Sequence, residues 1–577
     1  MLKIARFLKN YKKQVILGPI FKLIEAIFEL IVPMIMAKII DYGVHNKDIS
    51  YVLKMGSMLI VIGIISFSSA VVCQKYASVA SQGFGTTVRN ELFTHINTFS
   101  YKEIDKFGTS SLITRLTNDV NQLQLAVAML IRLVIRAPFL AIGAIIMAMI
   151  LDLKLSIVFL ISTPLITLIL YVIIRSSIPY FQAIQKKLDA ISLATRENLD
   201  GVRVIRAFSN QKHELNKFNI FSEDLSTTAI RVGKLSSLLN PLTYIILNLS
   251  IIAIIWFGGI RVNSGNLSQG QIIAFVNYIT QILLALIVVS NLVVIFTKAS
   301  ASATRVNELF DTSSSVKNKE NQAILELTDN SLPRIELKNV SFSYDGSKNY
   351  SLANISVPIY PNEVVGIIGG TGSGKSTLIN LICRFYDVSM GNIFINGLDI
   401  KNYPLSQIRN KIKIVPQHSV LFTGTIEDNI KFGNTEATSA DLEKFLNIAQ
   451  ASEFVAKLSD GYQTKLNQGG KNLSGGQKQR LAIARAIICT PEILILDDSF
   501  SALDFSTDAK LRSALKRELK NNTTVIIASQ RVSTIKNADK ILVLDNGFLV
   551  DVGTHKDLYN RCEIYKEIAL SQNKSDL

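Results

Sequence analysis

Four windows in the first 300 residues contain no Asp, Glu, Lys or Arg. They are Met55–Gln74, Leu155–Ile174, Leu235–Ile260 and Val262–Thr297, of 20, 20, 26 and 36 residues. A helix that crosses a bilayer needs about 20 mostly apolar residues, so each window is long enough. A fifth, Ala137–Leu151, has 15 residues and extends backwards past Arg136 and Arg132. A first run, about Val15–Ile40, is less clean because it holds Lys22, Glu25, Glu29 and Lys38. The pattern predicts six spans, near 15–40, 52–76, 127–151, 155–178, 238–260 and 268–297, in a membrane domain of residues 1–304. A buried core helix in a soluble protein would explain one such run; it does not explain six.

Composition agrees. Of 577 residues, 18% are charged and 48% hydrophobic, and the mean hydropathy is +0.31. A disordered chain needs low hydrophobicity and high charge, and soluble domains carry about 25% charged residues. The net charge of +16 is placed by topology. Lys3, Arg6, Lys9, Lys12 and Lys13 have no acid among them, and the segment between spans four and five is rich in Lys and Arg. The opposite loops, 41–51, 152–154 and 261–267, are short and nearly neutral. Basic loops stay in the cytoplasm. Both termini and two long loops, about 77–126 and 179–237, are therefore expected on that face of the cell membrane. Lipid is the expected surrounding, and no nucleic-acid partner is needed. The first apolar run lacks a small-residue cleavage site, so no removable signal peptide is expected. Cys73, Cys383, Cys489 and Cys562 lie far apart, which predicts free thiols rather than disulfides or a zinc site.

From Asp311 to Pro333 the chain turns rich in Ser, Asn, Thr and Lys. That composition predicts a linker, placed at 305–333, ahead of a second domain at 334–577. There Glu363–Gly369 (EVVGIIG) reads as a buried strand and LINLICRF as a helix. Between them stand Gly369, Gly370, Thr371, Gly372, Ser373, Gly374, Lys375, Ser376 and Thr377. This is a phosphate loop in its strand–loop–helix setting. Its glycines let backbone amides turn toward phosphates, and the helix N-terminus adds a positive dipole end. Lys375 is expected at the β- and γ-phosphates and the Ser376 hydroxyl on Mg²⁺. Downstream, Ile493–Leu496 is an apolar run ending in Asp497 and Asp498. Asp497 is expected to hold the Mg²⁺ from the far side.

Leu473-Ser474-Gly475-Gly476-Gln477, followed by KQRLAIARAI, resembles the signature of the ATP-binding cassette (ABC) family. Tyr344 in VSFSY, Gln417 in IVPQ and Ser501-Ala502-Leu503-Asp504 match further pieces of it. The stretches 89–120 and ENLDGVRVIRAF resemble the coupling loops of its exporters. The whole chain resembles a half-size exporter of the type IV multidrug class. The implied fold is a membrane all-α domain of six transmembrane helices followed by an α/β P-loop nucleotide-binding domain. The resemblance implies that Tyr344 stacks on the adenine of ATP and that Gln417 senses Mg²⁺ and the γ-phosphate. It also implies that Ser474, Gly475, Gly476 and Gln477 cap the γ-phosphate of ATP held by an opposite subunit. Asp504 belongs to the same nucleotide machinery. One phosphate loop and one signature face different partners, so a second ABC half-transporter is required.

Two positions depart from the family pattern. Asp498 stands where the family places Glu, and Gln530, in IIASQRVSTI, stands where it places a switch His. Asp is one methylene shorter, so its carboxylate falls back by about 1–1.5 Å. A general base must sit about 2.6–3.2 Å from the proton it takes. Gln530 still donates to phosphate, but it lacks the charge that makes such a bond about twice as strong. The chain's own site is therefore expected to bind ATP and turn it over slowly, while its sound signature completes a partner's site. That resembles the degenerate half of a heterodimer. A homodimeric exporter or lipid flippase with tolerated replacements, and a regulatory subunit gating a partner, are the alternatives.

The cargo is less constrained: a hydrophobic or amphipathic small molecule, a lipid or a peptide. Glu25 and Glu29 share one face of the first span, with Lys22 three residues before Glu25, and Arg132 and Arg136 share a face of the third. Either the acids draw amphipathic cations into a cavity, or acids and arginines neutralise one another.

Overall fold

The apolar windows fold as helices far longer than a bilayer is thick. In the computed structural model, which describes residues 2–317, 332–344, 346, 349–519 and 523–573, five helices are long and apolar enough to cross a membrane. They are Ile49–Ile96, Thr109–Leu151, Ile157–Asp200, Gln211–Asn263 and Gln269–Asp311. The first expected span is present as helix Lys12–Lys38, but its Lys22, Glu25 and Glu29 keep it outside that composition class. Ile49–Ile96 has 48 residues, about 72 Å at 1.5 Å per residue, against a hydrocarbon core of about 30 Å. The expected loops 77–126 and 179–237 are therefore mostly helix rather than loop. Hydropathy falls away there while helical propensity continues.

The chain divides into two compact units, Met1–Asn97 with Ser110–Thr312, and Thr98–Thr109 with Ser313–Leu577. Helix Gln269–Asp311 runs through residues 305–311 of the expected linker, and residues 318–331 of it lie outside the described residues.

In the first unit the outward helix faces are apolar: Phe67 is 72% and Trp256 70% exposed. This is the inverse of a water-facing bundle and fits a lipid surround. Several polar groups inside are paired. Pro33 lacks an N–H, so the carbonyl of Glu29 loses its helix partner; Gln281 Nε2 donates to it at 3.3 Å. Tyr278 Oη, fully buried, donates to the Leu30 carbonyl at 2.8 Å. Near the short loops, Arg261 Nε donates to Asp152 at 2.8 Å, and Asp41 accepts from Ser268 and from the Gly270 N–H at 2.8 Å. Gly270 is required there, since a Cβ would lie 2.3 Å from the Ala37 carbonyl.

The second unit is built on a ten-stranded sheet. Its strands are β1 (Ile335–Phe342), β2 (Leu352–Ile359), β3 (Val364–Ile368), β4 (Met390–Ile395), β5 (Leu398–Asp399), β6 (Ile412–Val415), β9 (Ile493–Asp497), β10 (Thr524–Ala528), β11 (Lys540–Asp545) and β12 (Phe548–Gly553), with the pair β7 (Gly424–Thr425) and β8 (Lys465–Leu466) apart. The order is β5-β4-β1-β2-β12-β11-β3-β10-β9-β6. β11, β3, β10, β9 and β6 are parallel neighbours. Their sequences VVGII, ILILD and TVIIA are unbroken apolar runs because both faces are covered.

The two faces carry separate cores. Ile367, Ile493, Ile495 and Ile526 pack with Leu378, Ile379 and Ile382 on one side. Ile368, Leu494, Leu496 and Ile527 pack with Leu481, Ile483 and Ile487 on the other. All four cysteines are free, and burial pushes the Cys383 thiol up to about 12, so it is a packing residue rather than a nucleophile.

The short helix Tyr101–Phe107 also belongs to this unit. Tyr101 lies 4.5 Å, ring to ring, from Phe385, and Tyr386 Oη donates to Asp105 Oδ2 at 2.7 Å.

Candidate nucleotide site

The phosphate loop follows β3 and opens helix Lys375–Ile382. Gly374 caps that helix at φ 100°, a left-handed backbone that L side chains rarely take. At Gly369 a Cβ would lie 2.1 Å from the Leu544 carbonyl, so the chain leaves β3 hard against β11. Lys375 Nζ donates to the carbonyls of Gly369 and Gly370 at 2.9 and 2.7 Å. These bonds hold the ammonium over the loop. Burial pulls its pKa below the usual lysine value, and Asp498 and Asp497 oppose that.

β9 is separated from β3 only by β10, which brings Asp497 to the loop: Ser376 Oγ donates to Asp497 Oδ1 at 3.5 Å. Burial holds the Asp497 carboxyl above the usual range, opposed by Ser376 and reinforced by Asp498. Two hard oxygen donors at this spacing fit Mg²⁺, whose ligands at about 2.0–2.1 Å stand roughly 3 Å apart when adjacent. Among the described residues no group of three or more His, Cys, Asp or Glu forms a metal cluster of its own. The ion would thus depend on phosphate oxygens for the rest of its shell.

Asp498 begins the turn after β9 at φ 47°, and its N–H donates to the Ala528 carbonyl at 2.9 Å. Its Oδ2 accepts from Gln417 Nε2 at 3.4 Å. Burial raises its pKa, opposed by Lys375, Arg531 and Gln417. Arg531, which motif reading passes over, thus supplies positive charge one residue beyond Gln530. Gln530 itself is exposed at the end of β10, its carbonyl held by Gln572 Nε2 at 2.7 Å. Tyr344 is half-exposed, with its hydroxyl 3.2 Å from Thr377 Oγ1 and its ring edge-on to Tyr386 at 5.3 Å.

The signature opens helix Gly475–Ile487. Ser474 is the N-cap, accepting from the Gln477 N–H at 3.3 Å, while Gln477 Oε1 accepts from the Ser474 N–H at 2.8 Å. The Gln477 side chain is thus engaged in a capping box. A Cβ at Gly476 would lie 2.9 Å from the Ala502 carbonyl, so the turn 501–504 packs directly on the signature. Asp504 caps helix Phe505–Leu519 by accepting from the Thr507 N–H at 3.0 Å, which holds its carboxyl below the usual range. The phosphate-loop helix packs on one face of the sheet and the signature helix on the other.

A phosphate loop, an acidic partner strand and a bundle of membrane-length helices define a membrane ATPase. Residues 15–311 match the ABC transporter transmembrane region family, and residues 352–501 match the ABC transporter family. The chain is 37% identical over 575 residues to an uncharacterized ABC transporter ATP-binding protein of Mycobacterium tuberculosis, covering 99% of this chain and 98% of that one. It is 37% identical over 572 residues to YfiB of Bacillus subtilis, named in the same way, with the same coverage. It is 32% identical over 585 residues to a Rickettsia felis protein provisionally named an export ATP-binding/permease protein, again covering 99% and 98%. A bacterial Atm1-family ABC exporter solved with ATP bound superposes with a TM-score of 0.81 at 24% identity, over 97% of this chain and 98% of that one; it shares the fold. The chain belongs to the ABC transporter family, and its activity is ATP hydrolysis coupled to transport across the membrane in which it is embedded.

Proposed function

We propose that this chain is the slow-site half of a heterodimeric exporter. It crosses the cytoplasmic membrane six times, with both termini in the cytoplasm, and moves hydrophobic or amphipathic cargo outward. The observation that supports a two-chain assembly is the placement of the phosphate loop and the signature on opposite sheet faces, and Asp498 with Gln530 at the hydrolysis positions supports the slow site. One chain then cannot wrap both around the same ATP, and a second chain supplies the missing half. Two nucleotide sites form between two chains. Lys375 holds the β- and γ-phosphates, the Gly369–Gly374 amides cradle them, and Tyr344 stacks on adenine. Ser376, Asp497 and Gln417 hold Mg²⁺, which when bound neutralises charge between the β- and γ-phosphates. The partner's signature closes this site, and Ser474 with Gly475 and Gly476 closes the partner's.

Binding of ATP between the chains favours the closed dimer because only that state makes both sets of contacts. At this chain's own site Asp498 would accept the proton of the attacking water, from too far back, and Gln530 would donate to the γ-phosphate. Both are weaker than the Glu and His they replace. Full-rate hydrolysis therefore falls to the partner's site.

The test is isolation from native membranes through a tag on this chain, followed by mass spectrometry of what accompanies it. A second ABC half-transporter with Glu and His at the corresponding positions is expected. Recovery of this chain alone, as a homodimer with full exporter ATPase, would overturn the heterodimer. Tyr344→Ala is expected to weaken ATP binding by about 5- to 150-fold, the value of base–aromatic stacking of about 1–3 kcal/mol, measured by nucleotide titration of the detergent-solubilised complex.

A further inference from the structure

Beyond helix Lys375–Ile382, which opens at the phosphate loop, the chain turns through residues 384–387. Arg384 locks this turn. Its side chain is buried, with Nε donating to Asp387 Oδ1 at 3.1 Å and Nη1 to the Tyr403 carbonyl at 3.0 Å. Tyr386, only 8% exposed, is packed between two groups that matter to the nucleotide reading. Its ring stands edge-on to Tyr344 at 5.3 Å and lies 5.6 Å from Phe342 at the end of β1. Its hydroxyl donates to Asp105 Oδ2 at 2.7 Å, and Tyr101 of the same helix Tyr101–Phe107 lies 6.3 Å from its ring. Burial, and then the bond to Asp105, raises the Tyr386 pKa, so the hydroxyl remains a donor at neutral pH. Tyr344 is held in turn by Phe342, edge-on at 4.8 Å, and by its hydroxyl, 3.2 Å from Thr377 Oγ1 of the phosphate loop.

Packing alone does not require that hydroxyl. A phenylalanine at 386 would keep the edge contact with Tyr344, and Phe385 already supplies a ring against Tyr101, at 4.5 Å. What the hydroxyl adds is a bond to an ionised carboxylate, the stronger kind of hydrogen bond, and it fixes helix Tyr101–Phe107 to the very residue on which Tyr344 leans. Tyr344 is 40% exposed and is held only at its edge and its tip, so a base stacked on it would restrain its ring further. We propose that Tyr386 is a positioning residue that makes helix Tyr101–Phe107 respond to the base of the nucleotide as well as to its phosphates. A base on Tyr344 restrains Tyr386, and the Tyr386–Asp105 bond passes that restraint to the helix. A triphosphate without a base fills the phosphate loop and leaves the helix unrestrained. The inference rests on the reading in which Tyr344 stacks on adenine. Its size is bounded by the weakest contact in the series, the edge-to-face pair of Tyr344 and Tyr386, which is about two- to tenfold in an equilibrium constant.

The test is backbone amide exchange of the full complex, read by mass spectrometry at residues 101–108 and 369–377. The amides of Ile104 and Gly108, which donate to the Ser100 and Ile104 carbonyls at 3.2 and 2.8 Å, report on the helix. Saturating Mg²⁺ with adenylyl imidodiphosphate, which carries the base and is not hydrolysed, is compared with saturating Mg²⁺ and inorganic tripolyphosphate. Both are expected to slow exchange at 369–377, and only the adenine nucleotide to slow it at 101–108, by about two- to tenfold. Tyr386→Phe and Asp105→Ala should each erase the slowing at 101–108 and keep that at 369–377, and the two together should do no more than either alone. Asp105→Asn, which still accepts a hydrogen bond, should retain part of it. The Asp105 variants leave Tyr386 in place, so they decide the matter even where Tyr386→Phe disturbs the fold. Equal slowing at 101–108 by both ligands, or undiminished slowing in Asp105→Ala, would overturn the inference. Nucleotide titration of Tyr344→Ala separates the two readings. Unchanged affinity there would refute adenine stacking itself; weakened affinity there, with Asp105→Ala responding like the unmodified chain, would refute the Tyr386 link alone.

Discussion

The double substitution Asp498→Glu, Gln530→His is expected to raise ATP turnover at this chain's own phosphate loop by about two orders of magnitude. The gain comes mainly from position. Asp498 is anchored by its N–H to Ala528 and by Gln417 to its carboxylate, so it has little freedom to advance toward a water at the γ-phosphate. A misplacement of about 1 Å costs on the order of 10²-fold, or about 2.7 kcal/mol of barrier. One further methylene restores the reach. The φ of 47° at this residue sets a cost against it, because Asp tolerates the left-handed region better than Glu. That cost, about 1 kcal/mol, falls on stability and should show as a lowered thermal midpoint of the variant. It is smaller than the barrier gain, so the rate rises. The imidazole at 530 adds a bond to phosphate that becomes charge-assisted when protonated. Single-turnover hydrolysis with the partner's site disabled measures the effect at the site concerned. An unchanged rate with intact nucleotide binding would mean that these two residues do not limit it.

Gly476→Asp in this chain is expected to lower hydrolysis by the complex by about 10²-fold or more. The signature's exposed face is expected to serve the partner's faster site, and a carboxylate there would confront the γ-phosphate while the oriented donors are lost. Loss of one such donor costs about 10²–10³ in rate. A side chain at 476 also meets the Ala502 carbonyl at 2.9 Å, so Gly476→Ala measures the steric part alone and should cost much less. The asymmetry between this residue and Asp498 is diagnostic. In a heterodimer with a slow site, damage to the signature stops turnover and damage to Asp498 does not. In a homodimer of two working sites, both stop it.

The elements of the candidate site were largely legible in the sequence, because they are local. The parallel strands declare themselves as runs without alternation, and the phosphate loop has a fixed spacing of Gly, Lys and Ser. The membrane windows are legible because charge is nearly forbidden there. What the sequence concealed depends on distant contacts or on backbone geometry. The helices outlast the apolar windows that mark them, so 77–126 and 179–237 read as loops although they are mostly helical. Nothing local in Tyr101–Phe107 shows that it packs on Phe385 and Tyr386. The left-handed turn at Asp498 and the proximity of Arg531 need the folded sheet. The capping roles of Gln477 and Asp504 had a signal, since Ser-x-x-Gln is a capping box, but the signature motif masked it. In the membrane, Lys22 with Glu25 is readable at i, i+3 spacing. That Arg136 takes Glu29, so that acids pair with basic side chains of the chain itself, is set by tertiary packing.

The division of labour between the two sites is tested most directly by steady-state ATP hydrolysis of the reconstituted complex, purified through a tag on this chain, with and without Asp498→Asn. If this chain's pocket is the slow one, the rate should stay within about twofold of the unmodified complex, because loss of a base already out of place by about 1 Å removes little. A fall of about 10²-fold or more would show Asp498 to be a working base and contradict that division.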